Sequence, residues 1–264
     1  MSRGGPDRSV GQTRTSGGAS VSFHASDAET LFRHRTIWAA RPELRDVYRE
    51  WFQRLLTEVS GLEPAVEVGA GPGFFKEYAP CLMATDVVPG DWIDVRCDAA
   101  ALPFRAGSVG ALVMVDALHH LRRPLGFLQE AARVLRPGGR LAMLEPWITP
   151  ASFLLYRYIH HEDCRLGVDV ADPFGDAAKT ALAGNAAIPF LAVRQLRDGG
   201  GPLRLLTIET FVGLPYLVTL GFKRVRPVPS ILVRAARVAE TWVRPLRRFL
   251  ATRAFIVLEK PTVG

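Results

Sequence analysis

Apolar positions along the chain change their period twice. From Ser26, the runs LFRHRTIWAA and PELRDVYREWFQRLLTEV set apolar and aromatic residues at helical spacing, with Pro42 suited to a first helical turn. Two helices are predicted there, ending near Gly61. Over residues 62–147, short apolar runs (AVEV, CLMATDV, WIDVRCD, GALVMVD and GRLAMLE) alternate with stretches of helical period. The clearest of those stretches, PLGFLQEAARVLRPGG, opens on Pro124 and closes on Pro137-Gly138-Gly139. Strand and helix alternating in this way predict an α/β fold, a doubly wound and mostly parallel sheet covered on both faces. After Glu145 the alternation stops, and residues 148–206 read as an insertion with one or two helices of its own. A helix over Thr207–Leu220, a strand over Phe222–Pro227, a helical segment over Ser230–Leu250 and a last strand in RAFIVLEK complete the prediction. Pro245 is expected to kink or split that third segment. Residues 1–22, rich in Gly, Ser, Thr and Arg, predict a disordered tail ahead of a single domain over 23–264.

One turn carries chemistry. The run Val66-Glu67-Val68-Gly69-Ala70-Gly71-Pro72-Gly73-Phe74 places three alternate glycines after a buried strand and before an expected helix. Such glycines permit a tight reversal and close approach of backbone to a ligand, although a tight turn alone can use them too. Glu67 stands two residues before the first glycine, where a carboxylate suits a cationic amino group better than the pyrophosphate of a dinucleotide. Phe74 at the sixth position of the dinucleotide pattern points the same way. Asp86 ends the second strand, where an acid can accept both hydroxyls of a ribose, and Asp98 follows the third.

Composition narrows the classes. A chain of 264 residues, 48% hydrophobic and 22% charged, can bury a full core. Cys81, Cys97 and Cys164 show neither disulfide nor metal-site spacing. No run reaches the roughly 18–20 apolar residues of a membrane span, and the N-terminal sequence has no secretory-type core. A cytoplasmic protein is expected. Between Phe222 and Arg253 nine basic residues face one acid, Glu240, a surplus that exceeds the +7 of the whole chain. At about 100° per residue, Arg234, Arg237, Arg244, Arg247 and Arg248 fall in one arc opposite Ile231, Leu232, Ala235, Val238, Trp242, Val243, Leu246 and Phe249. Residues 231–249 therefore form a basic amphipathic helix. It suits either a core-packed helix with a solvated basic face, or peripheral contact with an anionic membrane or a phosphate-bearing acceptor. No nucleic-acid module is visible.

The segments VEVGAGPG, ATDVV, RCDAAALPF, LVMVDALHHL and FLQEAARVLRPGGRLAMLEP resemble, in order and spacing, the class I S-adenosylmethionine-dependent methyltransferases, and most closely their quinone-biosynthesis-like, type 11 branch. The resemblance implies a Rossmann-like, seven-stranded sheet and S-adenosyl-L-methionine as cofactor. It implies that Glu67, Gly69, Ala70, Gly71 and Gly73 hold the methionine part, Asp86 the ribose hydroxyls, Asp98 and Ala99 the adenine, that Val115 lines the sulfonium, and that Val87 also contacts the cofactor. His119 and His120, at the carboxyl edge of the sheet, are candidate bases, and also suit helix packing. Trp147, His160 and His161 are candidate contacts to the acceptor. The His, Glu, Asp and Cys of residues 160–164 lack metal-site spacing, so no metal is expected. The resulting expectation is methylation of a small, largely apolar acceptor such as a lipid, quinone or secondary metabolite, at oxygen. The alternative is a binding or cyclase-like protein that keeps the cofactor and transfers no methyl group.

Overall fold

The computed structural model describes residues 11–12, 22–158, 163–175, 180–199 and 201–262. Seven strands build its main sheet: β1 (Ala65–Val68), β2 (Met83–Asp86), β3 (Val95–Arg96), β4 (Val109–Val115), β5 (Leu135–Pro146), β6 (Arg204–Phe211) and β7 (Arg253–Glu259). Their spatial order is β3-β2-β1-β4-β5-β7-β6. Pairing is parallel from β3 through β5, and β7 runs antiparallel to both β5 and β6. The expected doubly wound seven-stranded sheet is therefore present. Of residues 1–22, only a two-residue antiparallel pairing of Gly11–Gln12 with Ser22–Phe23 is described, and the rest of the expected tail lies outside the described residues.

The central strands are apolar on both sides because both faces are covered. Alternate residues of β4 and β5 point to opposite faces. Ala111, Val113, Ala142 and Leu144 meet helices α1 (Ala25–Ala40) and α2 (Pro42–Val59), through Trp38, Tyr48, Trp51, Phe52 and Leu55. Leu112, Met114, Leu141 and Met143 meet α3 (Pro124–Val134) and α5 (Ile188–Gly199), through Phe127, Leu128, Ile188 and Val193. Among its described residues the insertion contributes two helices, α4 (Pro150–Tyr158) and α5.

Three expected elements are corrected. No helix follows the glycine loop, only a single 3-10 turn over Phe75–Glu77. Few residues separate Gly73 from β2, and Phe74 and Phe75 are drawn onto α1 and α2, stacked on Trp38 at 4.0 Å and on Phe52 at 4.3 Å. The helix expected over 207–220 is instead the edge strand β6 followed by the short helix α6 (Leu214–Thr219). Leu206 is an extra residue in the pairing with β7, so the period-two signal slips out of phase within the strand. Gly213, at φ +74°, then turns the chain into α6, and Glu240 accepts from the amides of Val212, Gly213 and Leu214 at this turn. The strand expected over 222–227 is a 3-10 turn (Gly221–Lys223) and irregular chain. Its polar backbone is satisfied by side chains: buried Arg41 donates to the carbonyls of Thr219, Gly221 and Arg224, and Glu43 accepts from the amide of Val228. The C-terminal helical segment does split at Pro245, into α7 (Ser230–Val243), a 3-10 turn over Arg244–Leu246, and α8 (Arg247–Leu250).

Candidate functional site

The strand order reverses between β1 and β4, and crevices at the carboxyl ends of such strands are where open α/β sheets hold ligands. A cavity of about 1150 Å³ opens there. One wall is the glycine loop. Gly69, Gly71 and Gly73 all lie in the left-handed region, at φ +71°, +51° and +74°. A Cβ on Gly69 would sit 2.6 Å from Cβ of Ala117, so the loop approaches the end of β4 as closely as glycine permits. Gly73 does not line the cavity. A Cβ there would overlap the ring of Trp92, whose Nε1 donates to the carbonyl of Gly71 at 2.7 Å.

Beneath the loop lies an unpaired acid. Glu67 is 3% exposed and lines the cavity, and its Oε2 has no hydrogen-bond partner. Burial, with a contribution from nearby Asp86, pushes its carboxyl from 4.5 up to about 8. A buried acceptor without a donor is costly, and a cationic amino group entering the cavity would remove the cost. The folded protein binds one more proton than the unfolded chain between those two values, so stability without ligand should fall as pH rises from about 4.5 to about 8 and then level off. Denaturant midpoints against pH should show this slope in the parent protein and lack it in Glu67→Gln.

Asp86 ties the next strand to the loop: its Oδ2 accepts from the amide of Gly71 and its Oδ1 from that of Val88, each at 2.7 Å. Burial raises its carboxyl, and these backbone bonds act against the rise. Val87, Asp98, Ala99 and Val115 join Asp86 on the same wall, and Asp98 Oδ1 accepts from the amide of Ala100 at 2.9 Å. Every residue expected at the cofactor except Gly73 therefore faces one cavity.

The opposite wall was less legible. Asp116 follows β4 in a left-handed conformation (φ 51°) and pairs with Arg253, the first residue of β7. The guanidinium of Arg253 lies 4.7 Å from the ring of Tyr216 and 5.2 Å from that of Trp51. Asp116, Arg253, Tyr48 and Tyr216 all line the cavity, and burial pushes the Tyr48 phenol well up, so that it stays protonated. Arg253 is one of nine basic residues in its stretch, and its single signal is that it opens an otherwise apolar strand.

His119 and His120 also line the cavity, their rings 4.0 Å apart. His119 is 2% exposed, and its Nδ1 lies 2.7 Å from Oε2 of fully buried Glu145, whose Oε1 accepts from the amides of Ala117 and Leu118. Asp116, His119 and Glu145 offer ligand atoms within 4.8 Å of one another. Glu145 is nevertheless occupied by those three donors, and Arg253 opposes a cation beside Asp116. Trp147 is not brought to the cavity and packs edge-on against Phe190 at 5.3 Å. His160 and His161 lie outside the described residues.

Residues 66–143 match a family model described as a methyltransferase domain. The chain is 37% identical over 82 residues to the ubiquinone/menaquinone biosynthesis C-methyltransferase UbiE of Ruegeria sp. (strain TM1040), covering 31% of this chain and 29% of that protein. It is 31% identical over 96 residues to the tRNA (carboxymethyluridine(34)-5-O)-methyltransferase alkbh8 of Xenopus tropicalis, covering 35% of this chain and 15% of that protein. The chain thus spans less than a third of the length of either curated relative. Its fold is shared with geranyl diphosphate C-methyltransferase from Streptomyces coelicolor A3(2), solved with Mg2+, geranyl-S-thiolodiphosphate and S-adenosyl-L-homocysteine. That likeness has a TM-score of 0.51 at 16% identity and covers 80% of this chain and 76% of that one. The matched segment runs from β1 into β5 and includes the glycine loop, so the part of the chain that builds this crevice is similar to a methyltransferase domain.

Proposed function

We propose that the protein transfers the methyl group of S-adenosylmethionine to an oxygen of a small, largely apolar acceptor of lipid, quinone or secondary-metabolite type. The observation that carries the cofactor half is the unpartnered buried carboxylate of Glu67 beneath the glycine loop. That pairing suits an ammonium-bearing nucleoside and disfavours the pyrophosphate of NAD. Glu67 and the loop from Gly69 to Gly71 would hold the amino-acid end, Asp86 and Val87 the ribose, Asp98 and Ala99 the base, and Val115 the sulfur end. Gly73 supports this wall from behind through Trp92. When bound, the cofactor supplies an electrophilic methyl group on a positively charged sulfur.

The protein's own part is to position the acceptor and take its proton. Methyl transfer forms an oxygen–carbon bond, breaks the sulfur–carbon bond, leaves the electron pair on sulfur and releases the hydroxyl proton. His119 and His120 would receive that proton, and the contact of His119 Nδ1 with Glu145 supports this reading, since a carboxylate there orients the imidazole. Leu155, Tyr156, Leu217 and Phe222 give the acceptor side its apolar lining. Incubation with methyl-labelled S-adenosylmethionine and panels of quinols, phenols and prenylated alcohols should put label on an oxygen of one class. Label on carbon alone would overturn the oxygen assignment. Cofactor binding without label in any acceptor would favour the reading in which no methyl group is transferred.

A further inference from the structure

The C-terminal helical segment turns its apolar side outward. Ile231, Val238, Trp242, Leu246 and Phe249 are 60, 60, 80, 51 and 46% exposed. Within α7, at about 100° per residue, Ile231, Val238 and Trp242 fall within one arc of roughly 40°, and Leu246 and Phe249 follow in the 3-10 turn and α8. The helix instead packs inward on its third side, where Val233 and Ala236 are the buried residues of α7. Such a stripe is unfavourable in water and marks a contact surface.

Charge decides which contact. Arg234 on α7, Arg244 in the 3-10 turn and Arg247 and Arg248 on α8 are exposed, and among the described residues they form no ion pair. The segment's single acid is withdrawn, because Glu240 accepts from the amides of Val212, Gly213 and Leu214. The outer surface therefore combines apolar side chains with uncompensated positive charge. A second copy of this chain would set arginines against arginines. An anionic bilayer matches both features, with the stripe entering the acyl boundary, Trp242 at the interface and the arginines at phosphate level. No helix among the described residues is long and apolar enough to cross a membrane, so the segment would lie in the plane.

A second observation adjoins this face. An apolar recess of about 560 Å³ lies between α4, α6, α7 and α8, lined by Leu154, Tyr158, Val243 and Leu250 among others. Leu155 and Leu217 line both this recess and the main cavity. We propose that residues 231–249 are an in-plane anchor that docks the protein on anionic lipid bilayers, with the acceptor side of the cavity next to the membrane.

Co-sedimentation of the full chain with phosphatidylcholine vesicles, with and without phosphatidylglycerol, tests this without any turnover. Binding should require the anionic lipid, weaken with salt, and fall about fivefold for each of the four arginines changed to glutamine. The charge-neutral double variant Trp242→Ser/Phe249→Ser should lose more than about tenfold in partition. It should keep the parental melting temperature, since both side chains are exposed. Absence of vesicle binding, or binding that ignores the double variant, would overturn the anchor. So would a dimer in sedimentation velocity that the double variant dissolves.

Discussion

Asp116→Ala should lower the stability of the folded chain by about 3–5 kcal/mol, because it strips a buried cation of its counter-charge. Arg253 is enclosed, with 8% of its side chain exposed, and Asp116 is its ion-pair partner. The rings of Trp51 and Tyr216 offer the guanidinium π-faces, which offset only part of that loss. In a domain of this size the loss corresponds to a melting temperature lower by roughly 6–20 °C. Arg253→Met in an Asp116→Asn background should recover most of it, since both charges then leave together. A single Asp116→Ala variant that melts with the parent would mean that the pair is solvated, and would remove it from the wall of the acceptor cavity.

Asp86→Ala should weaken binding of S-adenosylhomocysteine by about 10- to 150-fold, the equivalent of about 1.5–3 kcal/mol for hydrogen bonds to a charged group. Two losses combine. In the proposed binding mode the ribose hydroxyls would lose their acceptor, and the amides of Gly71 and Val88 lose the carboxylate that fixes the loop against β2. Calorimetric titration of the variant, with far-UV circular dichroism to confirm the fold, measures the effect. Unchanged affinity would reassign Asp86 to holding the loop alone.

The sheet was legible because its central strands are short apolar runs, a pattern set by burial on both faces, although α3 is the one α-helix that separates successive strands from β1 to β5. Glu67, Asp86 and Asp98 were legible because each sits at a fixed offset from a strand end, where topology alone brings side chains to one crevice. Elements governed by distant partners were not. The bulge at Leu206 breaks the alternation of β6, and Glu240 and Arg41 replace ladder bonds that a sequence pattern takes for granted. Arg253 lies far along the chain from Asp116, so no local spacing links them, and in sequence it merges with a basic helix that serves a different surface. The angular pattern of residues 231–249 separated charge from apolar side chains correctly, yet it could not tell which side meets the protein. Val233, Ala236 and the inward-turned Glu240 decide that.

The central claim is that the crevice between β1 and β4 takes S-adenosylmethionine through Glu67 and the glycine loop. Calorimetric titration of the parent protein with S-adenosylhomocysteine near pH 7, repeated in buffers of different ionisation enthalpy and with NAD in its place, tests it most directly. Micromolar binding of S-adenosylhomocysteine alone is expected, with about one proton released as Glu67, raised to about 8 in the free protein, ionises against the incoming ammonium. A folded protein that prefers NAD, or that binds neither ligand, would contradict the account.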